Sequence, residues 1–134
     1  MLRLVHIPVT SVTITEVTGD GTNLSRASVK PMPTTAEELM RSRFAAFRDG
    51  DAQWLLDTWH PSTRPESIDL ADNPRWRGLQ IIDTQDGGPS DGTGVVEFRA
   101  TYLDADGNLG MLHERSRFVR EDDRWFYVDG EVSD

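Results

Sequence analysis

The feature that most constrains this chain is a change of hydrophobic period along its length. From Ala36 to Trp59 the apolar side chains recur at helical spacing, and from Trp76 to Val128 they alternate every second residue. Two helices followed by a run of strands with polar turns between them leave few solutions. The helices must bury their apolar stripes on one face of an antiparallel sheet, which is an α+β architecture.

The helical part carries its own punctuation. Thr34 and Thr35 each have a Glu three residues on, so a capping box can form in either register. Ala36, Leu39, Met40, Phe44 and Phe47 make one buried stripe. Gly50 supplies the left-handed residue that stops this helix. Asp51 caps a second, whose buried face is Trp54, Leu55, Thr58 and Trp59. Pro61 ends it, because a residue before proline is pushed out of helical geometry. Residues 61–73 read as a connector with one short helical turn near Ile68.

Four strands are expected after it. The first runs from Trp76 to about Thr84. Val96, Phe98, Ala100 and Tyr102 share a face of the second. Leu112, Glu114, Ser116 and Phe118 share a face of the third, and the fourth spans Trp125 to Val128. Asp104-Ala105-Asp106-Gly107-Asn108 is a hairpin turn. A curved sheet wrapped over helices encloses a conical cavity, a common place for small-molecule sites.

A length of 134 residues suits one domain. Residues 1–32 differ in composition and read as an N-terminal extension, strand-like around Val12 and Ile14 or mobile, before a domain at 33–134. With no cysteine, this chain can form no disulfide, thiolate zinc site or thiol nucleophile. Net charge −9 and pI near 4.7 disfavour nucleic acid and anionic membranes as partners. No apolar run reaches membrane length, and Met1 to Pro8 is too short and interrupted for a signal peptide, so a cytoplasmic location is expected.

Several short runs carry a resemblance. They include Thr58-Trp59-His60-Pro61-Ser62-Thr63-Arg64, Pro74-Arg75-Trp76, Leu112-His113-Glu114-Arg115-Ser116-Arg117-Phe118 and Arg124-Trp125-Phe126-Tyr127-Val128-Asp129-Gly130. With Leu39 to Phe44 and Val96 to Phe98, they make the chain from Pro33 to about Glu131 resemble the YchJ-type bacterial proteins. The resemblance implies a nuclear transport factor 2-like cone, with a further helical segment allowed in the connector. It implies no particular activity. Many members carry an N-terminal cysteine zinc motif resembling the SecA C-terminal tail. Residues 1–32 replace that motif here, so neither zinc nor chaperone docking carries over, and no metal or cofactor is expected.

Glu114 is the most informative single residue. If its strand face is the buried one, a carboxylate enters the cavity, and it must then be protonated, paired or wet. Arg41 and Arg43 are its obvious partners. A structural Arg–Glu pair is one reading and a general acid–base the other. His60 either satisfies backbone groups at the helix end or faces the cavity as a base. Trp59 and Trp76 read as core or as ligand stackers, Arg64 as an anion contact at a cavity mouth, and His113 and Ser116 as neighbours of Glu114 in the binding set. The resulting expectation is a protein that binds a small ligand or a protein partner through its cavity. The alternative is a cofactor-free lyase, isomerase or hydrolase using Glu114 and His60. A homodimer through the outer sheet face, with Val95, Glu97, Arg99, Thr101 and Leu103, is the third possibility.

Overall fold

A computed structural model describes residues 31–133. Helix α1 spans Ala36–Asp49 and α2 spans Ala52–Asp57. Strands β1 (Arg75–Asp86), β2 (Thr93–Leu103), β3 (Leu109–Glu121) and β4 (Arg124–Ser133) follow, and pair antiparallel in the order β1-β2-β3-β4. The expectations about Val12, Ile14 and the rest of residues 1–30 lie outside the described residues.

Both threonines serve the start of α1. Thr35 Oγ1 accepts from Glu38 N at 3.0 Å, while the Thr34 N–H and hydroxyl both donate to Glu38 Oε1, at 2.8 and 3.0 Å. The Glu therefore reaches back one residue further than in the usual box. Gly50 takes φ 78° and closes the helix on Ala46 O, and Asp51 Oδ1 accepts from Trp54 N. Ala36 N donates to Gly87 O and Trp125 Nε1 to Thr34 O, which fixes the helix start on the sheet.

The core lies between α1 and one face of the sheet. Leu39, Met40, Trp76, Val96, Phe98, Leu112, Phe118, Trp125 and Tyr127 are buried there, with Phe44 and Phe47 half-buried against them. Residues 58–60 run beside β4: Tyr127 N donates to Thr58 O and His60 N to Tyr127 O, each at 2.8 Å. This covers part of an otherwise open sheet edge.

The connector differs from the expectation. Residues 61–74 contain turns but no helix, and the region of Ile68 is not helical. Ile68 is instead buried against Ala46 and Leu55 from a non-helical segment, with Leu70 half-buried beside the same cluster. Strands β1 and β4 also run further than their alternation suggests. Register shifts break the alternation in both: β1 slips between Trp76 and Gly78 and again between Ile81 and Asp83, and the β3–β4 pairing slips between Arg117 and Phe118. Asp122 and Asp123 both have positive φ, 52° and 65°, which gives the two-residue hairpin that joins β3 to β4. Among the described residues, no helix is long and apolar enough to cross a membrane.

Candidate functional site

Strand β3 places Glu114 by simple alternation. Leu112, Glu114, Ser116 and Phe118 are all buried on its inner face. Across β4, Glu114 pairs with Val132, Ser116 with Gly130 and Phe118 with Tyr127. The slip between the last two pairs reverses the parity of β4. Trp125 and Tyr127 face inward before it; Gly130 and Val132 face inward after it. Gly130 thereby lies against the Glu114 carboxylate, where a side chain would collide with Oε2.

That carboxylate is 2% exposed. Ser116 donates to its Oε2 at 2.8 Å and the Tyr127 hydroxyl at 3.4 Å. Oε1 has no hydrogen-bond partner among the described residues. Burial pushes the Glu114 carboxyl up to about 7, against the pull of the Ser116 and Tyr127 hydrogen bonds and of the Arg43 charge. Burial likewise raises the Tyr127 phenol, reinforced by the Glu114 charge.

Arg43 comes from the middle of the buried stripe of α1 and is 3% exposed. Its Nη1 donates to Leu55 O at 2.9 Å and to Thr58 Oγ1 at 2.7 Å. The guanidinium carbon lies 4.5 Å from the Tyr127 ring centre and 5.3 Å from that of Trp59, a cation over two rings that themselves meet edge to face. Burial lowers its pKa to about 10, which still leaves it charged at neutral pH. No salt bridge joins Arg43 to Glu114 among the described residues; the two interact through space.

Together these groups form the polar end of a cavity of about 40 Å³. Met40, Phe44, Phe47, Trp76, Phe98 and Leu112 make the apolar wall, and Arg43, Glu114, Ser116 and Tyr127 the polar one. The space admits a few waters or a small organic molecule.

The sequence candidates divide into three groups. Arg43, Trp76, Glu114 and Ser116 line the cavity. Trp59 stands behind it, with its ring edge-on to Tyr127 and its Nε1 donating to Thr63. The others are elsewhere. Arg41 does not reach Glu114; it pairs with Glu37 at 3.0 Å on the exposed face of α1. Arg64 is exposed in the connector. His113 points to the outer sheet face, where its Nε2 is 2.6 Å from Glu97 Oε2 and Arg115 joins the same carboxylate. The His113 hydrogen bond, the largest influence, holds the Glu97 carboxyl below the usual range. His60 is not brought to Glu114 either. Its Nδ1 accepts from the Ser62 N–H and its Nε2 lies 3.0 Å from Glu121. The backbone bond of His60 to Tyr127 O turns the ring away, onto Phe126.

Two participants escaped the sequence reading. Tyr127 shares a face with Trp125 and so had a visible signal in the alternation. Gly130 had none, since unbroken alternation places Asp129 inward in its stead.

One helix over a face of a four-stranded antiparallel meander, a second short helix packed on the first, and a cavity beneath the first define an α+β domain of the nuclear transport factor 2-like kind. The second helix thus buries its apolar side on α1 and Ile68, and not on the sheet as expected. A family model described as "YchJ, middle NTF2-like domain" matches residues 35–130, and the chain belongs to that family. A UPF0225 protein of Streptomyces coelicolor is 56% identical over 100 residues, covering 75% of this chain and 77% of the relative. Another, from Chromobacterium violaceum, is 46% identical over 106 residues, covering 77% of each. The solution structure of a SEC-C motif containing protein from Rhodopseudomonas palustris superposes with TM-score 0.67 at 29% identity, over 83% of this chain and 86% of that one. The crystal structure of a SEC-C motif containing protein from Psychrobacter arcticus gives 0.62 at 27% identity, over 82% and 67%.

Proposed function

We propose that the domain is a binding module for a small molecule, with the cavity under α1 as its site. One observation carries this reading: the buried Glu114 carboxylate has an oxygen without a hydrogen-bond partner among the described residues, and its residue lines a cavity with an aromatic wall. That oxygen keeps an opening, but it belongs to a buried carboxylate whose desolvation is costly. A ligand that pairs with it and covers the aromatic wall relieves that cost and buries apolar surface at once.

Thermal denaturation of the full chain against a panel of small metabolites tests the proposal. A true ligand at about a hundred times its Kd stabilises by about 2.7 kcal/mol. Its effect disappears in Ala100→Val, which adds bulk to the cavity lining. A panel without any response, or a response that survives Ala100→Val unchanged, overturns the reading.

A second reading is favoured by the position of the Glu114 pKa near 7, which suits a general acid–base. In that case the domain is a cofactor-free enzyme in which Glu114 moves a proton on the bound molecule, without His60. Turnover of a panel ligand, abolished in Glu114→Gln with binding retained, distinguishes it from the binding module.

A further inference from the structure

The polar end of the cavity has more unused hydrogen-bonding capacity than Glu114 alone. The hydrogen bonds of Arg43 all leave from Nη1, and those of Glu114 all arrive at Oε2. Among the described residues, the sealed side-chain atoms lacking a partner are Ser67 Oγ and Arg124 Nε. Arg43 Nε and Nη2 and Glu114 Oε1 are therefore not sealed in; they keep an opening, and both residues line the cavity. The guanidinium carbon lies over both the Tyr127 and Trp59 rings, and its Nε–Nη2 edge donates to none of the described residues.

We propose that the cavity takes a small monocarboxylic acid with an apolar body, its carboxylate between the free edge of Arg43 and the free oxygen of Glu114, which holds the shared proton. The inference rests on the binding reading above and names the ligand class for that site.

Charge decides between an anion and an amine. Arg43 is a buried cation with no salt-bridge partner among the described residues, and it stays charged at neutral pH. Glu114 is half protonated near pH 7, so the cavity wall is positive on average. A cationic head group would meet that charge in a site where desolvation amplifies it. A carboxylate instead accepts two N–H bonds from the fork of Arg43. It also raises the Glu114 pKa further, so that the protonated Oε1 donates to it. The other titratable groups around Glu114 are Tyr127 and Asp129 on β4; β2 presents Phe98. Tyr127, whose phenol pKa burial raises, supplies no proton near neutrality. Binding of the anion thus takes up a proton at Glu114.

The test uses the full isotope-labelled chain and three probes of similar size: propionate, propionamide and propylamine. The readout is the Trp76 indole N–H signal, whose ring lines the cavity. At about pH 6, propionate shifts this signal saturably and propylamine leaves it in place. Above about pH 7, propionate affinity falls about tenfold per pH unit, because one proton accompanies each ligand. Glu114→Gln still binds propionate, through its amide N–H, and loses the pH dependence. Arg43→Lys, which keeps the charge but not the fork, weakens binding more than about tenfold; should it not fold, the three-probe comparison and Glu114→Gln still decide. Propylamine binding as well as propionate, or propionate binding without pH dependence, overturns the ligand class and leaves the cavity reading standing. The same holds if no probe binds while a metabolite panel still raises the melting temperature in a way that Ala100→Val abolishes. Failure of the panel as well removes both.

Discussion

Gly130 makes room for Glu114. A Cβ on Gly130 would overlap Oε2 of that carboxylate and would also crowd Arg115 O. Gly130→Ala is expected to destabilise the domain by about 1–3 kcal/mol, the usual cost of overpacking. The cause is specific, so the cost should shrink when the carboxylate is absent. A double-mutant cycle of Gly130→Ala with Glu114→Ala, followed by urea denaturation, should show a coupling above about 1 kcal/mol. Strictly additive costs would mean that Gly130 matters for its backbone and not for the space it leaves.

Glu114 should give stability a pH dependence of unusual sign for an acid. Its folded pKa, about 7, lies above the ordinary 4.5. Below about 4.5 it is protonated in both states and costs nothing. Between the two values the unfolded chain releases the proton and the folded one holds it, so stability falls as pH rises. Above about 7 the full penalty applies, on the order of 3 kcal/mol at 1.36 kcal/mol per unit. Glu114→Gln has no such titration. Urea midpoints of the two proteins should diverge in favour of the variant from about pH 5 to about pH 8. A difference that stays constant across that range contradicts the raised pKa.

Most of the fold was legible because the chain separates its periods cleanly. The Thr34–Thr35 cap, the Gly50 stop and the Val96-Phe98-Ala100 alternation each report a local backbone requirement, and each is met. The site was half legible for the same reason. Glu114 and Ser116 lie on the face of Leu112 by simple alternation, and Arg43 lies on α1 one turn from Leu39 and Met40. Alternation fails at a bulge, however, and the slip beside Phe118 is what brings Gly130 and Val132 inward. Nor does spacing along the chain report tertiary direction. His60 sits beside Trp59, yet its backbone bond to Tyr127 O sends its ring to the surface.

Arg43 depends on α2 as much as on its own helix. Its Nη1 shares Thr58 Oγ1 and Leu55 O at the end of α2, and Thr58 Oγ1 also donates to Trp54 O. Thr58→Val keeps the shape and removes this relay. It should cost about 1–3 kcal/mol, because a buried charged donor loses an acceptor. Thr58→Ser retains the hydroxyl and should cost about 1 kcal/mol or less, for the lost methyl group. Denaturation of both variants checks the order. A cost in Thr58→Ser with none in Thr58→Val would show that Thr58 contributes packing alone.

His60 offers the sharpest contrast with Tyr127. The ring of His60 bonds to Ser62 and to the largely exposed Glu121, where an ion pair contributes about 0–1 kcal/mol. His60→Gln should therefore alter stability by less than about 1 kcal/mol and leave the pH midpoint of the Glu114 effect in place. Tyr127→Phe removes one of the donors to Glu114 Oε2. A hydrogen bond to the charged form lowers a carboxyl pKa, so its loss should move that midpoint upward. The midpoint can be read from the Trp76 indole signal across a pH titration. A midpoint that moves in His60→Gln and not in Tyr127→Phe would place the proton traffic of this domain at the surface, and would remove Glu114 from its centre.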